Sequence, residues 1–231
     1  MSDMIKVRTS DGSFGAYAAR PATLPAPAIV VIQEIFGINA DMRQTCDEMA
    51  AQGYLAVCPD LFWRLEPGIV LSADKESDLN KALSLYTAFD LDRGVSDIAA
   101  TMEAARALPG ANGKVGVVGF CLGGLMTFLT AARKGADAAV AYYGGRTNEF
   151  IAEAKGLRAP LLMHLAEEDE YIDKAAQKTI LAALKDRPNA KVYTYPGCNH
   201  AFARHNGAHF NAAAAASANA RTAAFFKANL A

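Results

Sequence analysis

Cys121 sits in Gly119-Phe120-Cys121-Leu122-Gly123-Gly124, directly after the β-branched run Val115-Gly116-Val117-Val118 and directly before an apolar helical stretch. Glycine, any residue, nucleophile, any residue, glycine at a strand-to-helix turn is the spacing that lifts a side chain out of a sharp bend above a sheet. The flanking glycines let strand and helix approach without a Cβ between them. A thiol placed there lies at a helix N-terminus, where free N–H groups and the helix dipole favour the thiolate. The N–H of Leu122 is placed to receive an oxyanion. The plainer reading is a buried, inert cysteine in an ordinary β–α turn. No serine offers a competing elbow, because Gly94-Val95-Ser96-Asp97 lacks both the closing glycine and a preceding strand.

A thiol needs a base to take its proton, and imidazole titrates in the right range. His200 follows the predicted strand at 191–195 after Pro196-Gly197. The predicted strand at 161–165 runs out into Glu167, Glu168, Asp169 and Glu170, any of which could orient that imidazole. Spacing alone does not choose among the four. The order nucleophile, acid, histidine, each beyond a strand end, is the order this elbow requires. His164 falls inside a predicted strand and reads as a satisfied core residue, while His205 and His209 read as solvated. Cys198 and His200 suggest a zinc pair, but no second ligand pair accompanies them. Neither a cofactor nor a metal is implied.

The elements that must position these groups alternate along the chain. Strands are predicted at 5–9, 14–19, 28–33, 54–58, 115–118, 138–143, 161–165 and 191–195. Helices are predicted at 41–52, 75–89, 93–108, 122–132, 175–185 and 211–227, with a loop at 61–72. Alternating strands and helices imply an α/β fold with a mostly parallel central sheet and helices on both faces. Catalytic groups then belong at the carboxyl ends of the strands. With 231 residues, no repeats and no long linker, a single domain over 1–231 is expected.

Charge excludes several partner classes. The chain has 23 Lys plus Arg against 24 Asp plus Glu, without a basic stripe, so neither nucleic acid nor an anionic membrane is expected as a partner. The uncharged run 115–132 approaches the length of a membrane span, yet its four glycines and its change of character mark a buried strand, turn and helix. The N-terminus reads as free of a secretory signal, and the four cysteines lack scaffold spacing, so a cytoplasmic location with free thiols is expected.

The assembled residues resemble the dienelactone hydrolase family (carboxymethylenebutenolidases) of the α/β-hydrolases over nearly the whole chain. The resemblance is carried by Gln33-Glu34-Ile35-Phe36-Gly37, Cys58-Pro59-Asp60-Leu61, the Cys121 elbow, Tyr142-Tyr143-Gly144 and His200-Ala201-Phe202-Ala203-Arg204. It implies hydrolysis of a small lactone or ester. It makes Cys121 the nucleophile, His200 the base and Asp169 its orienter, with Ile35 and Leu122 supplying oxyanion N–H groups. Glu34 matches the family glutamate that holds the resting thiol and helps ionise it. Arg204 matches one of two arginines that grip a substrate carboxylate, and Phe36, Tyr86 and Tyr143 line the substrate site. The second arginine is absent: Leu79 occupies its place, and Leu83 and Tyr86 replace a tyrosine and a tryptophan. Lys75 or Lys81 could deputise, without an arginine's fork. A carboxylesterase of different specificity, or a hydrolase fold retained only for binding, are the alternatives. A glutaminase is disfavoured because no histidine has a glutamate two residues on. A monomer or weak homodimer is expected.

Overall fold

The computed structural model describes residues 2–231. Its strands hydrogen-bond in the order β1-β2-β4-β3-β5-β6-β7-β8, a mostly parallel sheet with helices between the strands, as the alternation predicts. The chain forms two compact units, one ending at Gly116 and the other starting at Val117.

In the first unit, β1 (Ser2–Thr9) and β2 (Gly12–Ala19) form an antiparallel hairpin, and β2 continues antiparallel onto β4 (Leu55–Pro59). β3 (Ala26–Ile32) runs parallel to β4. Both are almost wholly buried, which explains why they read as continuous apolar runs rather than alternating ones. Two helices, α1 (Ala40–Ala51) and α3 (Leu91–Arg106), pack on β3 and β4. α3 starts two residues before its expected position because the Asp90 side chain accepts from the N–H groups of Asp92 and Arg93, an N-cap that fixes the first turn. α2 (Glu76–Ala88) lies between them in sequence and is largely exposed, burying only Ala82 and Leu85.

β5 (Ala111–Phe120) begins in the first unit and ends in the second. There α4 (Leu122–Arg133) follows, with ten of its twelve residues buried. A helix apolar on every face must be enclosed, and α4 packs on β6 (Ala138–Tyr142) and on a 3₁₀ helix, Thr147–Gly156. That 3₁₀ helix was not expected from the sequence. It is clipped to α4 by a two-pronged ion pair, Arg133 Nε and Nη2 to Glu153 at 2.6 and 2.7 Å. β7 (Leu161–Ala166) and β8 (Ala190–Tyr195) continue the sheet in parallel, joined by α5 (Lys174–Leu184), and α6 (Ala212–Leu230) packs on β6 and β7.

His164 is the core residue expected. Its Nδ1 lies 2.8 Å from the Tyr195 hydroxyl and its Nε2 3.1 Å from Thr222 Oγ1. The same Thr222 hydroxyl is 2.6 Å from Tyr142 Oη, which also donates to Asn219 Oδ1 at 3.0 Å. α6 is thereby tied to three strands through satisfied buried polar groups. Burial, aided by the Arg221 charge, pushes the His164 pKa down to about 3, so the ring is neutral.

Helix α4 and the strand end at Tyr142 approach each other closely at a glycine. A Cβ on Gly124 would lie 2.3 Å from the Tyr142 carbonyl oxygen and 2.9 Å from Gly144 N, both backbone atoms. Gly124→Ala should therefore destabilise the protein by about 1–3 kcal/mol or more in urea unfolding, because neither neighbour can rotate away. Wild-type stability in that variant would mean helix and strand are looser than described.

Candidate active site

Cys121 is half-buried and has φ 54° and ψ −114°, a conformation that few non-glycine residues adopt. Three contacts hold it there. Its N–H donates to the Tyr142 carbonyl at 3.2 Å, and its own carbonyl accepts from the N–H groups of Gly124 and Leu125 at 2.9 and 3.3 Å. A Cβ on Gly119 would stand 2.1 Å from Gly123 O, so a glycine at 119 is a steric requirement. The residue is the N-cap of α4, and helix geometry leaves the Leu122 N–H without an intrahelical acceptor.

The loops after β7 and β8 supply the two partners. Asp169 and His200 are both buried, and His200 Nδ1 lies 3.0 Å from each Asp169 carboxylate oxygen. Asp169 Oδ1 also accepts from the N–H groups of Tyr171 and Ile172 at 2.9 and 3.2 Å, which compensates for the burial of its charge. Glu168 instead pairs with Lys174 on the surface, and Glu170 lies 3.7 Å from His209. Of the four carboxylates that spacing could not separate, Asp169 is the one bonded to His200.

The imidazole stands edge-on to two tyrosines. Tyr143, buried, lies 5.1 Å away on one side, and Tyr171 lies 4.8 Å away on another. Burial opposes a charge on His200. The negative charge of Cys121 and the Asp169 hydrogen bond outweigh it, and the His200 pKa is raised to about 10. Nε2 has no hydrogen-bond partner in this geometry, so the sulfur acts on the ring chiefly through charge. A thiol, an imidazole and a carboxylate placed this way can form a thiolate–imidazolium pair and pass a proton to a leaving group.

Tyr171 was missed by the sequence reading. Its side chain is exposed, and its hydroxyl pKa is raised by burial, then by the charges of Glu170 and Cys121, while Arg204 lowers it. Its ring packs on His200, and its hydroxyl feels the charges of Cys121 and Arg204. An aromatic residue two positions after Asp169, in a loop bound to hold catalytic groups, was the available signal. His209 is also more than a solvated residue: its Nδ1 bonds the His200 carbonyl at 3.1 Å.

The remaining predicted residues belong to the first unit. Glu34, Ile35 and Phe36 are buried immediately after β3, and the Phe36 carbonyl accepts from Leu71 N at 2.9 Å. Tyr86 is half-buried on α2, where Leu79 is half-buried and Leu83 exposed. Lys81 is ion-paired with Glu66, and Lys75 is exposed at the N-cap of α2. Among the described residues no group of three or more His, Cys, Asp or Glu could hold a metal, and no helix is long and apolar enough to cross a membrane.

A model of the dienelactone hydrolase family matches residues 14–230. The chain belongs to the dienelactone hydrolase family. It is 46% identical to the "Putative carboxymethylenebutenolidase" of Azospirillum brasilense over the full length of both proteins. It is 40% identical to the carboxymethylenebutenolidase of Pseudomonas putida, covering 96% of this chain and 94% of that one. A crystal structure described as a "Putative Dienelactone Hydrolase from Klebsiella pneumoniae subsp. pneumoniae MGH 78578" superimposes with a TM-score of 0.88 at 27% identity, over 98% of each chain. Membership in the family supports a hydrolase of lactones or esters.

The raised pKa of His200 makes the stability of the protein depend on pH. Against its ordinary value of 6.5, its contribution to stability is present in full below about pH 6.5 and is lost as pH climbs to about 10. In a ¹⁵N NMR titration the His200 ring should stay protonated past pH 8 in the wild type and titrate lower in Cys121→Ala. An unchanged midpoint would remove the sulfur as the cause.

Proposed function

We propose that this chain is a cysteine-dependent hydrolase of small lactones or esters bearing a carboxylate. The observation that carries the reading is the strained thiol at Cys121, whose charge His200 senses while Asp169 grips the far side of the ring.

In this mechanism the Cys121 sulfur attacks the carbonyl carbon, and the carbonyl electron pair moves to oxygen. The Leu122 N–H receives that oxyanion. Collapse breaks the carbon–oxygen bond, His200 gives its proton to the departing oxygen, and an acyl-thioester remains on Cys121. For a lactone, the departing oxygen stays tethered to the acyl group. Water then attacks the thioester as His200 takes its proton, and sulfur leaves as thiolate. Asp169 holds the imidazole tautomer and stabilises its charged form.

The family motif adds an oxyanion N–H from Ile35 and a proton-handling role for Glu34, and both enter the proposal on that ground. Arg204 binds the substrate carboxylate, with Phe36, Tyr86 and Tyr143 as apolar walls. The enzyme is read as cytoplasmic, a monomer or weak homodimer, without cofactor. A broader carboxylesterase specificity is favoured by one observation: Leu79 replaces the second arginine, and Lys81 is engaged with Glu66.

A panel of lactones and aryl esters, with and without a carboxylate, decides between them. Cys121→Ala should abolish turnover of every substrate. Arg204→Ala should lower kcat/KM by about 10- to 100-fold on acidic substrates and leave neutral ones nearly unchanged, the loss expected for one charged hydrogen-bonded contact. Equal effects on both classes would remove the carboxylate from the proposal, and an active Cys121→Ala would remove the nucleophile.

A further inference from the structure

We propose that Asn199 is a positioning residue that keeps Asp169 and His200 in register, using one side-chain oxygen shared between their two loops. This inference rests on the Cys121–His200–Asp169 reading.

The loops after β7 and β8 are laced together rung by rung. Glu167 N–H donates to the Tyr195 carbonyl at 3.1 Å, and Glu168 N–H donates to the Cys198 carbonyl at 2.9 Å. The backbone ladder then stops. β8 has already turned, with Gly197 at φ 68° and Cys198 N–H bonded back to Tyr195 O, and Ala201 at φ 60° turns the chain again. The next donor, Glu170 N–H, is met by a side chain instead: Asn199 Oδ1 at 3.1 Å. The same oxygen accepts from the N–H of His200 at 2.6 Å.

One atom therefore bonds the residue after Asp169 and the backbone of His200 itself. Both donors are N–H groups, so the amide must present oxygen to them, which its nitrogen cannot replace. Asp169 is stiffened locally by the Tyr171 and Ile172 amides, so its loop moves as a piece. A tilt of that piece at Glu170 would carry the carboxylate away from His200 Nδ1, which it meets at 3.0 Å through both oxygens. Displacements of about 1 Å in such constellations can cost about 100-fold in rate. Asn199 is half-buried, and its side-chain oxygen is engaged by backbone N–H groups, so its role is to hold the loops rather than to meet substrate.

The test separates acceptor geometry from mere bulk. Asn199→Ala should lower kcat by about 10- to 100-fold with KM changed less than about twofold. Asn199→Asp keeps an oxygen of the same reach and should recover most of kcat when each variant is measured on its own pH plateau. The low-field proton NMR resonance of the His200–Asp169 hydrogen bond should be present in wild type and Asn199→Asp and be broadened or lost in Asn199→Ala. If the alanine variant does not fold, Asn199→Ser takes its place, since its hydroxyl is too short to reach both amides. An alanine or serine variant with wild-type kcat and an intact resonance overturns the proposal, as does an aspartate variant no better than alanine. The resonance is read without turnover, so failure of the nucleophile assignment, seen as an active Cys121→Ala, is distinguishable from failure of the role given to Asn199.

Discussion

An L-residue at φ 54° between a strand and a helix is costly, and the protein holds one at Cys121. The surrounding backbone determines it from both sides. Its N–H is bonded to Tyr142, its carbonyl to the first turn of α4, and the glycines at 119 and 124 remove the Cβ atoms that would collide with Gly123 and Tyr142. Tyr142 in turn is held by the Thr222 and Asn219 side chains of α6. Backbone strain at Cys121 is thus supported by packing that reaches the C-terminal helix.

Two buried histidines show how environment assigns chemistry. His164 and His200 are both almost fully enclosed, and burial pushes each toward neutrality. His164 faces neutral hydroxyls, so burial prevails and its pKa falls to about 3. His200 faces a carboxylate and a sulfur, and their charges carry it to about 10. The first is a structural pin, and the second is suited to hold and release a proton. Desolvation alone does not distinguish them; the charge of the partner does.

The elbow was legible because its glycines answer a steric demand: a Cβ at 119 or 124 would strike backbone atoms. The strand pattern was legible because β3, β4, β6 and β7 are buried on both faces and contain little but apolar residues. The choice of Asp169 over Glu167, Glu168 and Glu170 was not legible from spacing. It depends on which side chain turns inward after β7, and that is decided by the amides of Tyr171 and Ile172. Tyr171 and Asn199 were missed for a related reason. Each acts through a contact between loops 29 residues apart in sequence, with no periodicity to betray it. The 3₁₀ helix Thr147–Gly156 owes its place to the Arg133–Glu153 pair and to packing on α4 and α5, which a local reading of its residues does not contain.

The central claim is covalent: the acyl group of the substrate passes through the sulfur of Cys121. Rapid quenching of the enzyme with an activated carboxylate-bearing ester in acid, followed by peptide mass spectrometry, reads that bond directly. An added acyl mass is expected on the peptide containing Cys121, released by hydroxylamine as a thioester is. The same mass on another residue, or full turnover through a quench that never captures an adduct on Cys121 even when deacylation is slowed by His200→Asn, would contradict it.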